Sequence, residues 1–293
     1  MISKISLGTV QFGQDYGIAN TRGRVSEGEV REILDYAKGV GITSLDTAFA
    51  YGVSEAVLGK CLKESSGDFK IISKLPPLKE KGSQKVEEFF KESMQRLGVR
   101  KIYGYLVHRY TDIFINEDIW KSLIRLKENG QVEKIGFSLY SPEELSSLLE
   151  RDIDLDIIQV PYSIFDRRFE KYFHVLREKG IEIQARSVFL QGLAFLRAEA
   201  LPVALQEARP QLEDLKKIAE GQNISIEALC LNFVLLNRDI GKVVIGVDSL
   251  AHLKKNVTSV ASADSVREVC GRLDEVRIES EDILLPYKWS LKK

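Results

Sequence analysis

Apolar residues along this chain follow two alternating periods. Eight short runs rich in apolar and β-branched residues, at 4–8, 42–46, 69–74, 102–108, 134–139, 156–161, 181–186 and 242–247, read as buried strands. Between them the apolar positions recur at helical spacing. Val30, Ile33, Leu34 and Ala37 share one face, as do Val86, Phe89, Phe90 and Leu97. The stretches "SEGE" at 26–29 and "SPEE" at 141–144 both spell capping boxes, the second with proline at the first helical position. Residues 187–209, after the seventh strand, form the longest stretch without a clear period and are expected to be a functional loop. Helices near 211–220 and 225–237 lead into the eighth strand, and a short helix carrying Leu253 and Val257 follows it, ahead of a C-terminal helix and tail. Strand alternating with helix predicts a parallel sheet covered by helices, and eight repeats predict a (β/α)8 TIM barrel, a single domain over 1–293. The competing open, doubly wound sheet wants GxGxxG after an early strand, and "GTVQFG" at 8–13 does not supply it.

Charge narrows the choice of partner. Forty-two basic residues face 43 acidic ones with no long run of either sign, so no nucleic acid or membrane surface is expected, and small molecules are. Cys61, Cys230 and Cys270 are scattered and lack CxxC spacing, which argues against a disulfide framework or a metal site. Neither a signal peptide nor a stretch of roughly 20 apolar residues stands out, so a cytoplasmic protein is expected. Nothing marks the oligomeric state.

In a barrel of this kind the chemistry sits where the strands end. The second strand ends at Asp46, the third at Lys74 and the fourth at His108, with Tyr51 in the loop after the second. Each alone also fits a structural role: turn former, first solvated residue, packed histidine, packed phenol. Together they converge on one rim. A phenol titrates near 10, too high for easy proton exchange at neutral pH, and a nearby ammonium lowers it. A buried ammonium in turn needs a carboxylate. The expectation is a graded relay in which Asp46 keeps Lys74 charged and Lys74 tunes Tyr51, while neutral His108 orients a substrate oxygen. That set suits giving a proton to a carbonyl as a hydride arrives. A lysine at a strand end also suits Schiff-base chemistry, an aldolase-like alternative with Lys74 as nucleophile.

The stretch "LDTAFAYGVSEAVLGK" at 45–60 resembles the signature of the aldo-keto reductases, with Asp46-Thr47-Ala48, Tyr51-Gly52, Ser54-Glu55 and Gly59 at its fixed positions. "IISKLPP", "SMQRLGVRKIYGYLVHR" and "VEKIGFSLYSPEEL" agree, so the resemblance covers nearly the whole chain. It implies a barrel that binds NADPH or NADH without a Rossmann fold and reduces a small-molecule aldehyde or ketone reversibly. Asp46, Tyr51, Lys74 and His108 match the family's catalytic tetrad, with Tyr51 as general acid in reduction. Gly8, Thr9 and Val10 match a segment beside the nicotinamide, where Asp46 also counts as a cofactor contact. Ser138 and Gln159 match residues that hold its carboxamide, and Gly246, Ser249, His252 and Asn256 match the region of the adenosine phosphate. NADPH is the expected cofactor and NADH the alternative, because strongly basic residues at the 2′-phosphate end are replaced by Gly246 and His252.

Two further departures bear on function. Leu139 follows Ser138 where the family usually has asparagine, and Arg186, followed by Ser187, stands where an aromatic commonly stacks on the nicotinamide. Arg186 is expected over the cofactor or on an anionic substrate group, with a rim salt bridge as the structural alternative. The N-terminus begins almost at the first strand, so the hairpin that plugs the barrel bottom in many relatives is expected to be short or absent. A cofactor-binding regulatory or partner subunit with little turnover is the reading from another class. The expected specificity segments are "QFGQDYGIAN", "RYTDIF", "FLQGLAFL" and "LPYKWSLKK", whose mix of aromatic and polar residues suits a sugar or other small polar carbonyl.

Overall fold

All eight expected strands form in a computed structural model that describes residues 1–64, 68–78, 84–115 and 118–289. They are β1 (Ile5–Gly8), β2 (Ser44–Asp46), β3 (Lys70–Leu75), β4 (Ile102–Val107), β5 (Val132–Ser138), β6 (Ile157–Pro161), β7 (Glu182–Arg186) and β8 (Lys242–Gly246). Each pairs in parallel with its sequence neighbours, and β8 closes on β1, giving the (β/α)8 barrel. The register lines up the upper strand ends: Gly8 opposite Asp46 and Gly246, Ser138 opposite Gln159, and Pro161 opposite Arg186.

Alternation along the strands separates two interiors. Outward side chains such as Leu45, Ile71, Phe137, Ile158, Ile183 and Val243 pack with the inner helix faces into the main core. Val30, Ile33, Leu34 and Ala37 of helix Glu27–Gly39 are buried there, as their spacing requires. Inward side chains form layers. Ile72, Leu106 and Ile157 make an apolar middle, with Tyr103 packed against it. A hydrogen-bonded column runs past that layer: Gln159 Nε2 donates to Asp46 Oδ2 (2.7 Å) and Gln184 Oε1 (3.4 Å), and Gln184 Nε2 donates to Glu182 Oε1 (2.9 Å).

The two caps differ from one another. Ser141 and Glu144 form the reciprocal capping box with Pro142 at the helix start. At the other site Ser26 accepts from Glu29 N, but the return bond is missing. The Glu29 carboxylate instead pairs with Arg22 (3.1 Å) and accepts from the Leu250 backbone N–H (3.2 Å), tying helix Glu27–Gly39 to helix Leu250–Ser259. The long segment after β7 is three 3-10 stretches, Leu190–Phe195, Ala198–Ala200 and Val203–Ala208, rather than one open loop. One 3-10 turn, Ile2–Lys4, precedes β1. Among the described residues no helix is long and apolar enough to cross a membrane, and no side-chain cluster has the make-up of a metal site.

Candidate active site

The turn that carries Tyr51 is held from below by its own neighbours in sequence. Ser54 Oγ donates to the Thr9 carbonyl (2.9 Å) and lies within hydrogen-bond reach of the Thr9 (2.9 Å) and Thr47 (3.1 Å) hydroxyls. Glu55, also buried, accepts from Ser73 Oγ (2.6 Å) and lies 3.5 Å from Arg96. The turn is pressed against the segment after β1 so closely that a side chain on Gly13 would meet the Tyr51 carbonyl at 1.8 Å. Gly52 has φ of +56°, and a Cβ there would lie 2.5 Å from the Gly13 carbonyl. These residues place a phenol, and of them Thr9 also lines the cavity.

That cavity, about 540 Å³, opens at the upper end of the barrel. Tyr51, Asp46 and His108 line it, and Lys74 lies beneath them with no exposure. Lys74 Nζ donates to Asp46 Oδ1 (2.7 Å) and to the Thr47 carbonyl (2.9 Å), and lies 5.0 Å from the centre of the Tyr51 ring. The Tyr51 and His108 rings meet edge to face at 5.9 Å between centres. Among the described residues the Tyr51 hydroxyl has no hydrogen-bond partner, and His108 Nδ1 is buried without one.

Burial dominates the protonation states. It lowers the Lys74 ammonium, against which the Asp46 carboxylate acts by charge and hydrogen bond. It lowers His108 to about 3, aided by the positive charges of Lys74 and Arg186, so the imidazole is neutral at pH 7. Burial also raises Tyr51, with the Asp46 charge adding to it. The relay expected from sequence is corrected here. Lys74 spends its charge on Asp46 and faces the ring, so the phenol stays well above its ordinary value, and the group that pulls it down is Arg186.

Of the other residues singled out in the sequence, Gly8, Thr9, Val10, Ser138, Gln159, Arg186, Ser187, Gly246 and His252 line the same cavity. Ser249 and Asn256 do not. Ser249 caps helix Leu250–Ser259 through His252 N (3.1 Å) and donates to Asp248 (3.0 Å). Asn256 falls on the inner face of that helix and is fully buried. The Gln159 amide is committed to Asp46 and Gln184. Leu139 points into the main core, and its carbonyl accepts from Arg186 Nη2 (2.7 Å).

Arg186 forms no salt bridge among the described residues. Its guanidinium lies 4.3 Å from the centre of the Tyr140 ring and donates to Ser187 Oγ (3.2 Å), while Nε is buried without a partner. Tyr140, which the sequence reading passed over, is a wall of the cavity. The signal was present: Lys134, Gly136 and Ser138 alternate inward along β5, and the next inward position is 140. From the expected specificity segments Gln11, Tyr16, Asn20, Phe189, Gln191 and Phe195 reach the cavity. Residues 290–293 of the C-terminal segment, and the side chain of Phe114 in "RYTDIF", lie outside the described residues.

The sequence model of the aldo/keto reductase family matches residues 4–278. L-galactose dehydrogenase of Arabidopsis thaliana is 26% identical, aligned over 98% of this chain and 92% of its own. NADH-specific methylglyoxal reductase of Escherichia coli K12 is 24% identical over 80% of this chain and 85% of its own. Among solved structures, the holo form of an aldo-keto reductase from Bacillus halodurans superposes with a TM-score of 0.74 at 23% identity, covering 95% of each chain.

Proposed function

The chain belongs to the aldo/keto reductase family, and from that premise we propose that it reduces a small aldehyde or ketone to the alcohol, reversibly, with Tyr51 as the acid. One observation carries this reading. Among the described residues the Tyr51 hydroxyl has no partner and opens on the cavity, beside a neutral imidazole and an ammonium paired with Asp46.

A nicotinamide cofactor, when bound, supplies the hydride to the carbonyl carbon. The residues present suit such a group. The cavity extends from Tyr51 past Arg186, Ser187 and Phe195 to Gly246, Asp248 and His252, and Gly246 leaves open a position where a Cβ would press on the Gln11 side chain at 2.9 Å. Gly8, Thr9, Val10, Ser138 and Ser187 would flank the reacting end, and Gly246 and His252 the far end.

The chain's own part is proton chemistry. Tyr51, held protonated by burial, has a proton to give to the carbonyl oxygen as negative charge develops there. His108 orients that oxygen through a ring N–H. Lys74 and Asp46 keep a positive charge under the ring without presenting a nucleophile, since the amine has no exposure. That burial is why the aldolase-like alternative is set aside.

We retain NADPH as the cofactor and give NADH as the second reading. One observation favours NADH: Lys255, the lysine lining the far end, already pairs with Glu227, and the His252 ring lies 3.2 Å from Asp248. Dissociation constants for both cofactors, read from protein fluorescence, decide between them. The test of the acid is Tyr51→Phe. Turnover falls by about 10²–10⁴-fold while cofactor affinity holds; near-normal kcat with any carbonyl reduced by the wild type would remove Tyr51 from the role. Absence of cofactor oxidation across a broad carbonyl panel would instead favour the regulatory-subunit reading.

A further inference from the structure

We propose that Arg186 is a recognition site for an anionic group, a carboxylate or a phosphate, carried by the carbonyl substrate close to its reacting carbon. This rests on the oxidoreductase reading above and narrows its substrate class.

Two carboxylates that line the cavity are matched by a cation, Asp46 by Lys74 at 2.7 Å and Glu227 by Lys255, while Asp248 accepts from Ser249 Oγ (3.0 Å) and lies 3.2 Å from the His252 ring. Of the lysine and arginine side chains that line it, Lys255 and Arg186, Arg186 has no opposite charge within ion-pair distance among the described residues. Its side chain is nevertheless fixed. Nη2 is tied to the Leu139 carbonyl, Nη1 to Ser187 Oγ, and the guanidinium plane rests on Tyr140. An arginine that only needed solvation would not be clamped at the wall of a cavity with its Nε buried and unpartnered. What is missing from this arrangement is an anion, and the guanidinium fork matches a carboxylate or phosphate.

The placement also ties the anion to the reacting centre. Burial sets the Tyr51 and His108 protonation states in the first place, and the Arg186 charge acts on both, lowering the phenol and further disfavouring the imidazolium. A substrate reaching both Arg186 and Tyr51 therefore carries its charge and its carbonyl near each other. Gln191 and Tyr16, on the same cavity, carry polar groups toward a ligand, while the Asn20 side chain is spent on the backbone of Tyr16, Arg22 and Gly23.

The experiment compares kcat/KM for two matched pairs, butanal against 4-oxobutanoate and glyceraldehyde against glyceraldehyde 3-phosphate, in the wild type, Arg186→Gln and Arg186→Lys. The wild type is expected to prefer the charged member of one pair by about tenfold or more, as a charge-assisted contact provides. The pair that shows it tells carboxylate from phosphate. In Arg186→Gln the ratio falls to near one, and Arg186→Lys keeps part of it, retaining charge but losing the fork. Calorimetric titration with butanoate and with glycerol 3-phosphate gives a second readout, in which Arg186→Gln weakens binding by a similar factor. If no carbonyl of a broad panel that includes these four is reduced but anion binding still depends on Arg186, the oxidoreductase reading fails and the anion site stands. Charged-to-neutral ratios near one in the wild type, ratios unchanged in Arg186→Gln, or a loss confined to cofactor affinity would each overturn the inference.

Discussion

The two ends of the barrel are built from the same three residue types and do opposite things with them. At the lower end Lys134 donates to Glu182 (2.7 Å), the Tyr103 hydroxyl donates to the same Glu182 oxygen, and Lys70 lies 4.6 Å from the centre of the Tyr103 ring. At the upper end Lys74 donates to Asp46 and lies 5.0 Å from the Tyr51 ring, but the phenol is left out of the pairing. Burial and the bond to Glu182 raise Tyr103 to about 12, a locked donor in a closed network. Tyr51 is raised too, yet its hydroxyl faces a cavity. A lysine, a carboxylate and a phenol thus make a closed network or leave a phenol open to a cavity according to whether the carboxylate takes the hydroxyl.

The contrast can be broken or sharpened at three levels, beyond the loss of turnover expected for Tyr51→Phe. The largest effect on stability is expected from Asp46→Asn, which strands a fully buried ammonium and costs about 3–5 kcal/mol by urea denaturation. Glu182→Gln should cost about 1 kcal/mol, because its partner Lys134 keeps a third of its side chain in solvent. Equal losses would show that the lower cluster is as desolvated as the upper one. Next comes pH. The folded chain holds His108 below its ordinary 6.5, at about 3, so between those values the unfolded chain binds a proton that the folded one refuses. Stability therefore rises with pH across that window and is lost as pH falls below about 6.5. Glu182 is held below its ordinary 4.5, where its hydrogen bonds from Lys134 and Tyr103 outweigh burial, so its contribution is lost only below that pH. His108→Gln should flatten the stability profile between pH 6.5 and 4.5, and Glu182→Gln should leave it sloped; the reverse would misassign the two ends. The smallest effect is expected from Tyr103→Phe, with about 0.5–1 kcal/mol of stability lost and kcat unchanged. A fall in turnover there would mean that the lower network is felt at the reacting end.

Much of this was readable because a barrel turns strand order into position. The ends of the second, third and fourth strands gave Asp46, Lys74 and His108, and the helix periods gave the outer core. The unread parts depend on contacts between distant segments. Tyr103 breaks the inward alternation of β4: Ile102 pairs with Val132 and Gly104 with Lys134, and the tyrosine between them turns into the lower barrel. The misreading of Glu29 has the same origin, since its partners Arg22 and the Leu250 N–H come from outside the helix it was expected to cap. Ser249 and Asn256 do not line the cavity themselves: the first caps helix Leu250–Ser259 beside the lining residues Asp248 and His252, and the second is buried on that helix. Lys74 was expected to tune the phenol, but whether an ammonium meets a ring face or a hydroxyl is a matter of a few ångströms that no spacing encodes.

The backbone contact between Gly13 and the Tyr51 turn has a consequence for anyone redesigning this protein. Where main chain touches main chain, neither segment tolerates lengthening or side-chain growth, so 9–13 and 51–55 act as a fixed jaw. The segment 187–208 is joined from short 3-10 stretches, and the first, Leu190–Phe195, is itself tied down, by the Ile18 N–H on the Gln191 carbonyl (3.0 Å) and at Gly192, where a Cβ would lie 2.7 Å from that of Ala19. A library aimed at new substrates belongs at the side chains of Phe189 and Phe195, which line the cavity, with these backbone contacts left as they are.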